Sequence, residues 1–386
     1  MIRNSWYVAG LSRNFKYKLE KKIITAMPIV MWRAQDGNVV AFDGRCCHKR
    51  FPLWDGKLLD NGVLRCAYHG LCYDSSGKCI DIPMQRDIPI SPVARLRRYP
   101  VVEQDGLVWL WPGDPEKIGN VKAPRIPELA DPRYEAVISD PPIRIRANYR
   151  LLIENLLDIT HFFPLHDGNI GDLANSMIPV GLVEDTVDGN PKVMTTRSVT
   201  NYRLPPYYQR WFGLDIVDRD HTHAMTGPGL VRVQLRLAPP GKLGTDDECG
   251  YILCHTDTPI DEQHLEWHWI MISKAGSRFP PDPSMTLAQG MAFEFPEVVA
   301  QDEWALAKQQ EMLEFSDAFP DATRYREINM RSDIGVVHAR RVLSRMEKAE
   351  NNEPFGLPSA SLEMAKYAAA PGAQGAAAPE THGAVQ

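Results

Sequence analysis

Two short clusters hold the residues with the most chemistry to offer. Cys46 and His48 stand in RCCHKR, Cys66 and His69 in RCAYHG, with seventeen residues between the pairs. C-x-H followed by C-x-x-H is the ligand layout of a Rieske-type [2Fe–2S] cluster, in which two thiolates hold one iron and two imidazoles hold the other. Tetrahedral zinc also accepts two Cys and two His. Zinc sites, however, pair like ligands rather than a Cys and a His one residue apart. Gly44, Pro52, Gly56 and Gly70 flank the pairs, so each pair can sit at a loop tip and two fingers can close on a cluster from opposite sides. Cys47 offers a second thiol, but only Cys46 completes C-x-H. Cys47 is therefore expected to point the other way, as a small core side chain.

The second constellation is ENLLDITHFFPLHDG, residues 154–168. Asp158 and His161 are three apart and share a helix face, with Glu154 one turn earlier. His166 follows five residues on, which a regular helix would place about 140° away. Pro164 disfavours helix at Phe163 and is expected to end or kink the run there, letting His166 return toward His161. Two imidazoles suit a mononuclear iron, which also needs a carboxylate and open positions for O₂. Asp302 in VVAQDEWALAKQQ is the choice, near the start of an amphipathic helix among Val298, Val299, Trp304 and Leu306. A plain alternative is an acid in a helix's first turn, favoured by the dipole, and Glu303 is the competing carboxylate.

The elements that must position these residues are of two kinds. Residues up to about 115 read as hairpins, with turns at Asp36-Gly37, Ser76-Gly77 and Asp105-Gly106, so a first all-β domain is expected. A Pro/Gly-rich linker follows. Helical runs (NYRLLIENLLDITHFF, FPEVVAQDEWALAKQQEMLEFS, IGVVHARRVLSRMEKAE) then separate from alternating strands (VRVQLRLAPP, GYILCHTD, HLEWHWIMIS). That is an α+β pattern with an antiparallel sheet. The expected division is 1–118, 119–367 and a disordered Ala/Gly/Pro-rich tail, 368–386.

The 386 residues carry a net charge of −6 and are 44% hydrophobic. Nothing in that balance favours nucleic acid or an anionic membrane as partner. There is no apolar run long enough to span a bilayer and no secretory pattern at the N-terminus. Five of the seven cysteines (Cys47, Cys72, Cys79, Cys249, Cys254) are outside the cluster motif and form no regular framework. A reducing cytoplasm is the expectation.

Taken together, these motifs resemble the oxygenase components of the Rieske non-haem iron oxygenases, in the branch of vanillate and dicamba O-demethylases. NSWYVAG, the two cluster loops, DGLVWLWPGDP, N-L-x-D-x-x-H-x(4)-H from Asn155 to His166, Asp302 with Gln309-Gln310, and SDIGVVHARR carry the likeness. It implies a [2Fe–2S] cluster on Cys46, His48, Cys66 and His69, and a mononuclear Fe(II) on His161, His166 and Asp302. It implies Asp158 as a carboxylate bridging the cluster of one subunit to the iron of its neighbour and hydrogen-bonded to His161, hence a homotrimer. It also implies a ferredoxin or flavin reductase feeding electrons from NAD(P)H, O₂ as co-substrate, and oxidative O- or N-dealkylation of an aromatic compound. The chain departs from the pattern at Cys47, Lys49 and Ala307, and no departure removes a ligand.

Two other readings compete. A ring hydroxylase would use the same iron. A Rieske electron carrier would need only the first 115 or so residues and would leave the helix-borne H-x(4)-H unexplained. For the substrate pocket, the strand HLEWHWIMI offers Glu266, His268 and Ile270 on one face, taken here as the lining set, and Leu265, Trp267, Trp269 and Met271 on the other. LPPYYQRWFG reads as an aromatic lid or as packing. His221, His223, His255, His264 and His338 lack a partner set and read as structural.

Overall fold

The computed structural model describes residues 1–318 and 327–351. The tail expected from residue 368 lies outside the described residues. The first domain is three small antiparallel sheets. Strand β1 (Tyr7–Leu11) pairs with β10 (Leu107–Leu110) and β10 with β9 (Val101–Gln104); β2 (Glu20–Ile24), β3 (Met27–Arg33) and β4 (Val39–Asp43) form a meander. The third sheet, β5 (Lys57–Leu58), β6 (Leu64–Arg65), β7 (Cys72–Tyr73) and β8 (Cys79–Asp81), carries the ligand loops. The three expected hairpins are the β3–β4, β7–β8 and β9–β10 pairs.

The second domain is an eight-stranded antiparallel sheet with helices on one face. Its strands are β11 (Tyr134–Ile138), β12 (Ile143–Ile145), β13 (Gly181–Val187), β14 (Asn190–Arg203), β15 (Ile216–Thr226), β16 (Val231–Ala238), β17 (Cys249–Pro259) and β18 (Leu265–Lys274), in the order 11-18-17-16-15-14-13, with β12 also on β18. The period-2 pattern splits the sheet into two apolar faces. Leu253, Leu265, Trp267, Trp269 and Met271 pack with α1 (Tyr149–Leu157), α5 (Leu287–Ala318) and α6 (Ile334–Asn351) in the main core. Ile252, Cys254, Ile270 and Ile272 pack instead against Trp6, Trp109 and Trp111 of the first domain. The junction is also bonded: Thr258 Oγ1 donates to the Val8 carbonyl at 2.8 Å, and the Thr25 N–H to that of Pro259 at 2.7 Å.

Two details differ from the sequence expectation. The His-bearing helix breaks at Asp158, not at Phe163. α1 starts at the N-cap Asn148, whose side chain accepts from Arg150 N, and stops at Leu157 because Asp158 adopts an extended conformation (φ −106°, ψ 105°). The Asp158 carboxylate then caps the single 3-10 turn Ile159–His161 by accepting from Thr160 N, the local bond for which Asp competes with a helix. Pro164 falls inside the short α2 (Phe162–Leu165), in a first turn where its missing N–H has no partner to lose. Second, α5 begins at Leu287, so Asp302 is midway along a 32-residue helix and the first-turn explanation of its charge does not apply.

LPPYYQRWFG is also settled. It forms α4 (Pro206–Phe212), which follows α3 (Leu173–Ser176) and buries Tyr208 and Trp211 in the core. It is packing, not an open lid.

Candidate functional site

The two cysteine–histidine fingers are built alike. Cys46 N–H donates to the Phe51 carbonyl and Arg50 N–H to that of Cys46; Cys66 N–H donates to Leu71 O and Gly70 N–H to Cys66 O. In both, the fourth residue after the cysteine has positive φ, +58° at Arg50 and +74° at Gly70. Glycine is at ease there and arginine is strained. Gly44 is required for space, since a Cβ would lie 2.4 Å from the Trp54 ring. The loops bury Cys46 and Cys66 and leave His48 exposed and His69 half-buried, with the imidazoles edge-on at 4.6 Å. Two buried cysteines facing two outward imidazoles are the ligand set that would hold a Rieske-type cluster.

Cys47 does not turn into the core. It is exposed, and its Sγ shares the Tyr73 hydroxyl with Cys46, at 3.2 and 3.0 Å. The adjacent thiols couple. A bond from Cys47 pulls the Cys46 thiol down to about 5, and the same bond pushes Cys47 up. Cys46 is thus the thiolate of the pair, and a thiolate is the form that binds iron.

About the helix break, His161, His166 and Asp302 bring one ligand atom each within 4.8 Å of one another. Asp302 Oδ1 is 3.6 Å from His161 Nε2 and 3.3 Å from His166 Nε2. The outer nitrogens are tied down: His166 Nδ1–H donates to Gln301 Oε1 at 2.7 Å, and His161 Nδ1–H to the Asp158 carbonyl. Both Nε2 lone pairs are therefore turned inward, and His166 Nε2 is buried without a hydrogen-bond partner. Asn155 Nδ2 donates to Asp302 Oδ1 at 3.0 Å. Burial opposes charge on Asp302, but the two imidazoles and Asn155 outweigh it and hold the carboxyl below its usual range; burial keeps His161 neutral. Two imidazoles tied down at Nδ1, a carboxylate and an orphaned inward nitrogen fit a divalent iron on one face.

Glu303 is exposed, so of the two rival carboxylates only Asp302 faces the histidines. The Asp158 carboxylate does not bond His161 within the chain. It accepts from Thr160 N and Oγ1, at 2.9 and 2.7 Å, and the link to His161 runs through its backbone carbonyl.

Residues 5–100 match the family profile for the Rieske [2Fe–2S] domain, and residues 145–349 that for the vanillate O-demethylase oxygenase C-terminal domain. The chain belongs to the Rieske non-haem iron oxygenases of that type. This oxygenase is 30% identical over 358 residues to a putative toluene-4-sulfonate monooxygenase system iron-sulfur subunit from Comamonas testosteroni, covering 91% of the chain and 98% of that relative. It is 30% identical over 372 residues to a vanillate O-demethylase oxygenase subunit from a Pseudomonas species, covering 90% and 95%. Among solved structures, dicamba monooxygenase bound to dicamba superposes with a TM-score of 0.76 at 25% identity, over 92% of this chain and 99% of that one. The oxygenase is thus the O₂-using component of a multicomponent system, with a [2Fe–2S] cluster and a mononuclear iron as cofactors.

The expected pocket set is on the wrong side of the sheet. Glu266 lies 3.9 Å from Lys22, His268 Nδ1 is bonded to the Ser139 carbonyl, and Ile270 packs with the first domain's tryptophans. Leu265, Trp267, Trp269 and Met271 are on the helix-covered face with the triad. The strand's alternation was visible in the sequence; which face meets the iron depends on the sheet's position between two domains.

That inner face also carries residues set aside as structural. Arg219 Nη2–H donates to His221 Nδ1 at 3.0 Å, His221 Nε2–H to His223 Nε2 at 3.1 Å, and His223 Nδ1–H to the Leu156 carbonyl at 2.6 Å. This order of donors fixes both tautomers, and burial holds both histidines neutral, His223 down at about 3. His255 Nδ1 accepts from Trp267 Nε1, leaving its Nε2 buried and without a partner. Gln301 and Arg197 went unnoticed in the sequence. Gln301 precedes Asp302 and could have been sought as its neighbour.

Proposed function

We propose that this oxygenase removes an O- or N-alkyl group from an aromatic substrate. The observation that carries the reading is the His161–His166–Asp302 triad set over the aromatic inner face of the sheet, in a chain that aligns over 90% of its length with an O-demethylase oxygenase subunit. For a methyl ether the balance is ArOCH₃ + O₂ + NAD(P)H + H⁺ → ArOH + CH₂O + NAD(P)⁺ + H₂O. Iron bound at the triad would supply O₂ activation, with electrons arriving one at a time through the cluster. The chain's own part is positional. Gln301 and the Asp158 carbonyl fix the two imidazoles, Asn155 fixes the carboxylate, and Trp267, Trp269 and Phe162 exclude water and present flat apolar surface to a ring. A hydroxylated alkyl carbon then collapses as a hemiacetal or hemiaminal, and the aldehyde leaves.

In this reading the oxygenase works as a homotrimer in the cytoplasm, fed by a ferredoxin or flavin reductase. Asp158, half-buried at the helix break, meets the neighbouring subunit's cluster histidines. No helix among the described residues is long and apolar enough to cross a membrane. The test is product analysis with a reductase, NADH and a panel of alkoxy- and N-alkylarenes under ¹⁸O₂. One aldehyde per dealkylated product, with no label in the phenolic oxygen, is expected. A cis-dihydrodiol carrying both oxygen atoms would replace dealkylation by ring hydroxylation.

A further inference from the structure

Arg197 on β14 and Arg219 on β15 are buried, 2% and 1% exposed, and neither forms an ion pair among the described residues. Both point to the inner face. Arg197 lies opposite His221 and Arg219 opposite Val199. Three arginines of this chain show what such a group does when its partner is present: Arg86, Arg125 and Arg236 each grip one carboxylate, of Asp81, Asp105 and Glu248, with Nε and Nη2 together. In Arg197 those same two atoms are buried and have no partner. Arg219 is flanked by the rings of Tyr202 and Tyr208, at 5.4 and 5.8 Å, and its Nε and Nη1 are likewise unpartnered, as is the Tyr202 hydroxyl.

A buried guanidinium with no counter-ion is costly, and a planar fork of two donors is shaped for a bidentate oxyanion. The acids that act on these groups, Asp158 on Arg197 and Asp172 on Arg219, bond elsewhere: Asp158 to Thr160 and Asp172 to Ala174 N. The two histidines between the arginines are neutral and already paired, so the cluster keeps both positive charges. Burial drags Arg197 down to about 10, still above physiological pH. The cluster lies beside the iron site. The His221 ring is 6.4 Å from that of Phe162, which stands 4.9 Å from His161 and 5.5 Å from His166.

We propose that Arg197 and Arg219 seat the carboxylate or sulfonate of the substrate, so that this oxygenase acts on aromatic acids whose alkylated position reaches the triad past Phe162 and His221. The proposal rests on the dealkylation reading for the reaction, but not for binding. Arg197 is the fork that takes two oxygens. Arg219, tied through His221 and His223 to the Leu156 carbonyl of α1, supplies the second charge from a fixed position on β15.

The experiment is calorimetric binding to the iron-loaded oxygenase, followed by turnover, with 4-methoxybenzoate, 4-methoxybenzenesulfonate and neutral 4-methoxybenzamide. The acids are expected to bind at least about a hundredfold tighter than the amide, since a site built for a charged oxyanion rejects an analogue that leaves its donors unpaired. Arg197→Gln should raise Kd and KM for the acids at least about thirtyfold through loss of the charged fork, with kcat nearly unchanged and amide binding little altered. Arg197→Lys keeps charge without the fork and should fall between. Whichever acid binds tighter identifies the oxyanion. Equal binding of acid and amide to the parent would overturn the proposal. So would acetate binding as tightly as the aromatic acids, which marks an adventitious ion only. So would Arg197→Gln lowering kcat for acid and amide alike with KM unmoved, the mark of a structural role. Tight, Arg197-dependent acid binding without aldehyde would leave the seat standing and remove the dealkylation reading alone.

Discussion

Gln301 is the sharpest test of how the iron site is held. Its Oε1 accepts the His166 Nδ1 proton at 2.7 Å, and Asn169 Nδ2 leans on the same oxygen at 3.5 Å. His166 is fully buried, so Gln301→Ala leaves an N–H with no acceptor and a ring free to turn. An unmade bond at a buried donor costs about 1–3 kcal/mol. Loss of a group orienting a metal-bound histidine lowers metal affinity about 10–100-fold, which is about 1.4–2.7 kcal/mol. The two routes agree. Gln301→Glu keeps an acceptor in place and should hold iron within about threefold of the parent, since the Nδ1–H bond survives. The assay is iron per chain after dialysis against graded chelator, with the Rieske absorbance as internal reference, because the cluster fingers lie in the other domain. Alanine and glutamate variants that lose iron equally, or an alanine variant that matches the parent, would refute the reasoning.

Further outcomes follow from burial and charge. Asp302→Ala should lose the mononuclear iron and all turnover while the Rieske spectrum persists, whereas Glu303→Ala, on the exposed side of the same helix, should retain most activity; metal analysis and turnover of both variants decide it. Asp257 is fully buried with both carboxyl oxygens unpartnered, and burial pushes its carboxyl well above the usual range. A raised folded value means the native state binds the proton more tightly than the unfolded chain. Its contribution is whole below the unfolded carboxylate value and is lost as pH climbs toward the folded one. Asp257→Asn should therefore gain on the parent by about 1.4 kcal/mol per pH unit over that interval. Urea midpoints should diverge as pH rises from 5, and a constant difference would show that the Asp257 carboxyl is not raised in the fold.

Much of the chemistry was legible because it is local. A Cys and a His one residue apart, twice, define two loop tips whatever surrounds them, and the loops repeat even the backbone bonds. The histidine pair was legible too, but not the reason it converges. Pro164 stood out as a breaker, yet the break belongs to Asp158, whose side chain can satisfy a backbone N–H that the helix would otherwise use. The carboxylate was harder. The run FPEVVAQDEW reads as the opening of a helix with Asp302 near its start, whereas α5 begins at Leu287 and holds Pro296 within it. The choice between Asp302 and Glu303 rests on which face of a long helix meets the core, and that is set by packing against α1 and the sheet.

The sheet shows where pattern reading stops and what could extend it. Alternation in HLEWHWIMI was right, but both faces of this sheet are apolar, one against helices and one against the first domain, so hydrophobicity could not say which meets the iron. On β14 the same alternation carried unused information. Val193, Thr195, Arg197 and Val199 share one side of KVMTTRSVT, and Val193 is core, so Arg197 is a charge at an inward position. The partner strand repeats the anomaly with Arg219, His221 and His223 in line with Met225. Two adjacent strands that place cations where their neighbours place Val and Met are not making a core. With no acid in either strand on that side to neutralise them, the sequence already held the outline of a seat for an anion, and what the fold adds is its position, one aromatic ring from the triad.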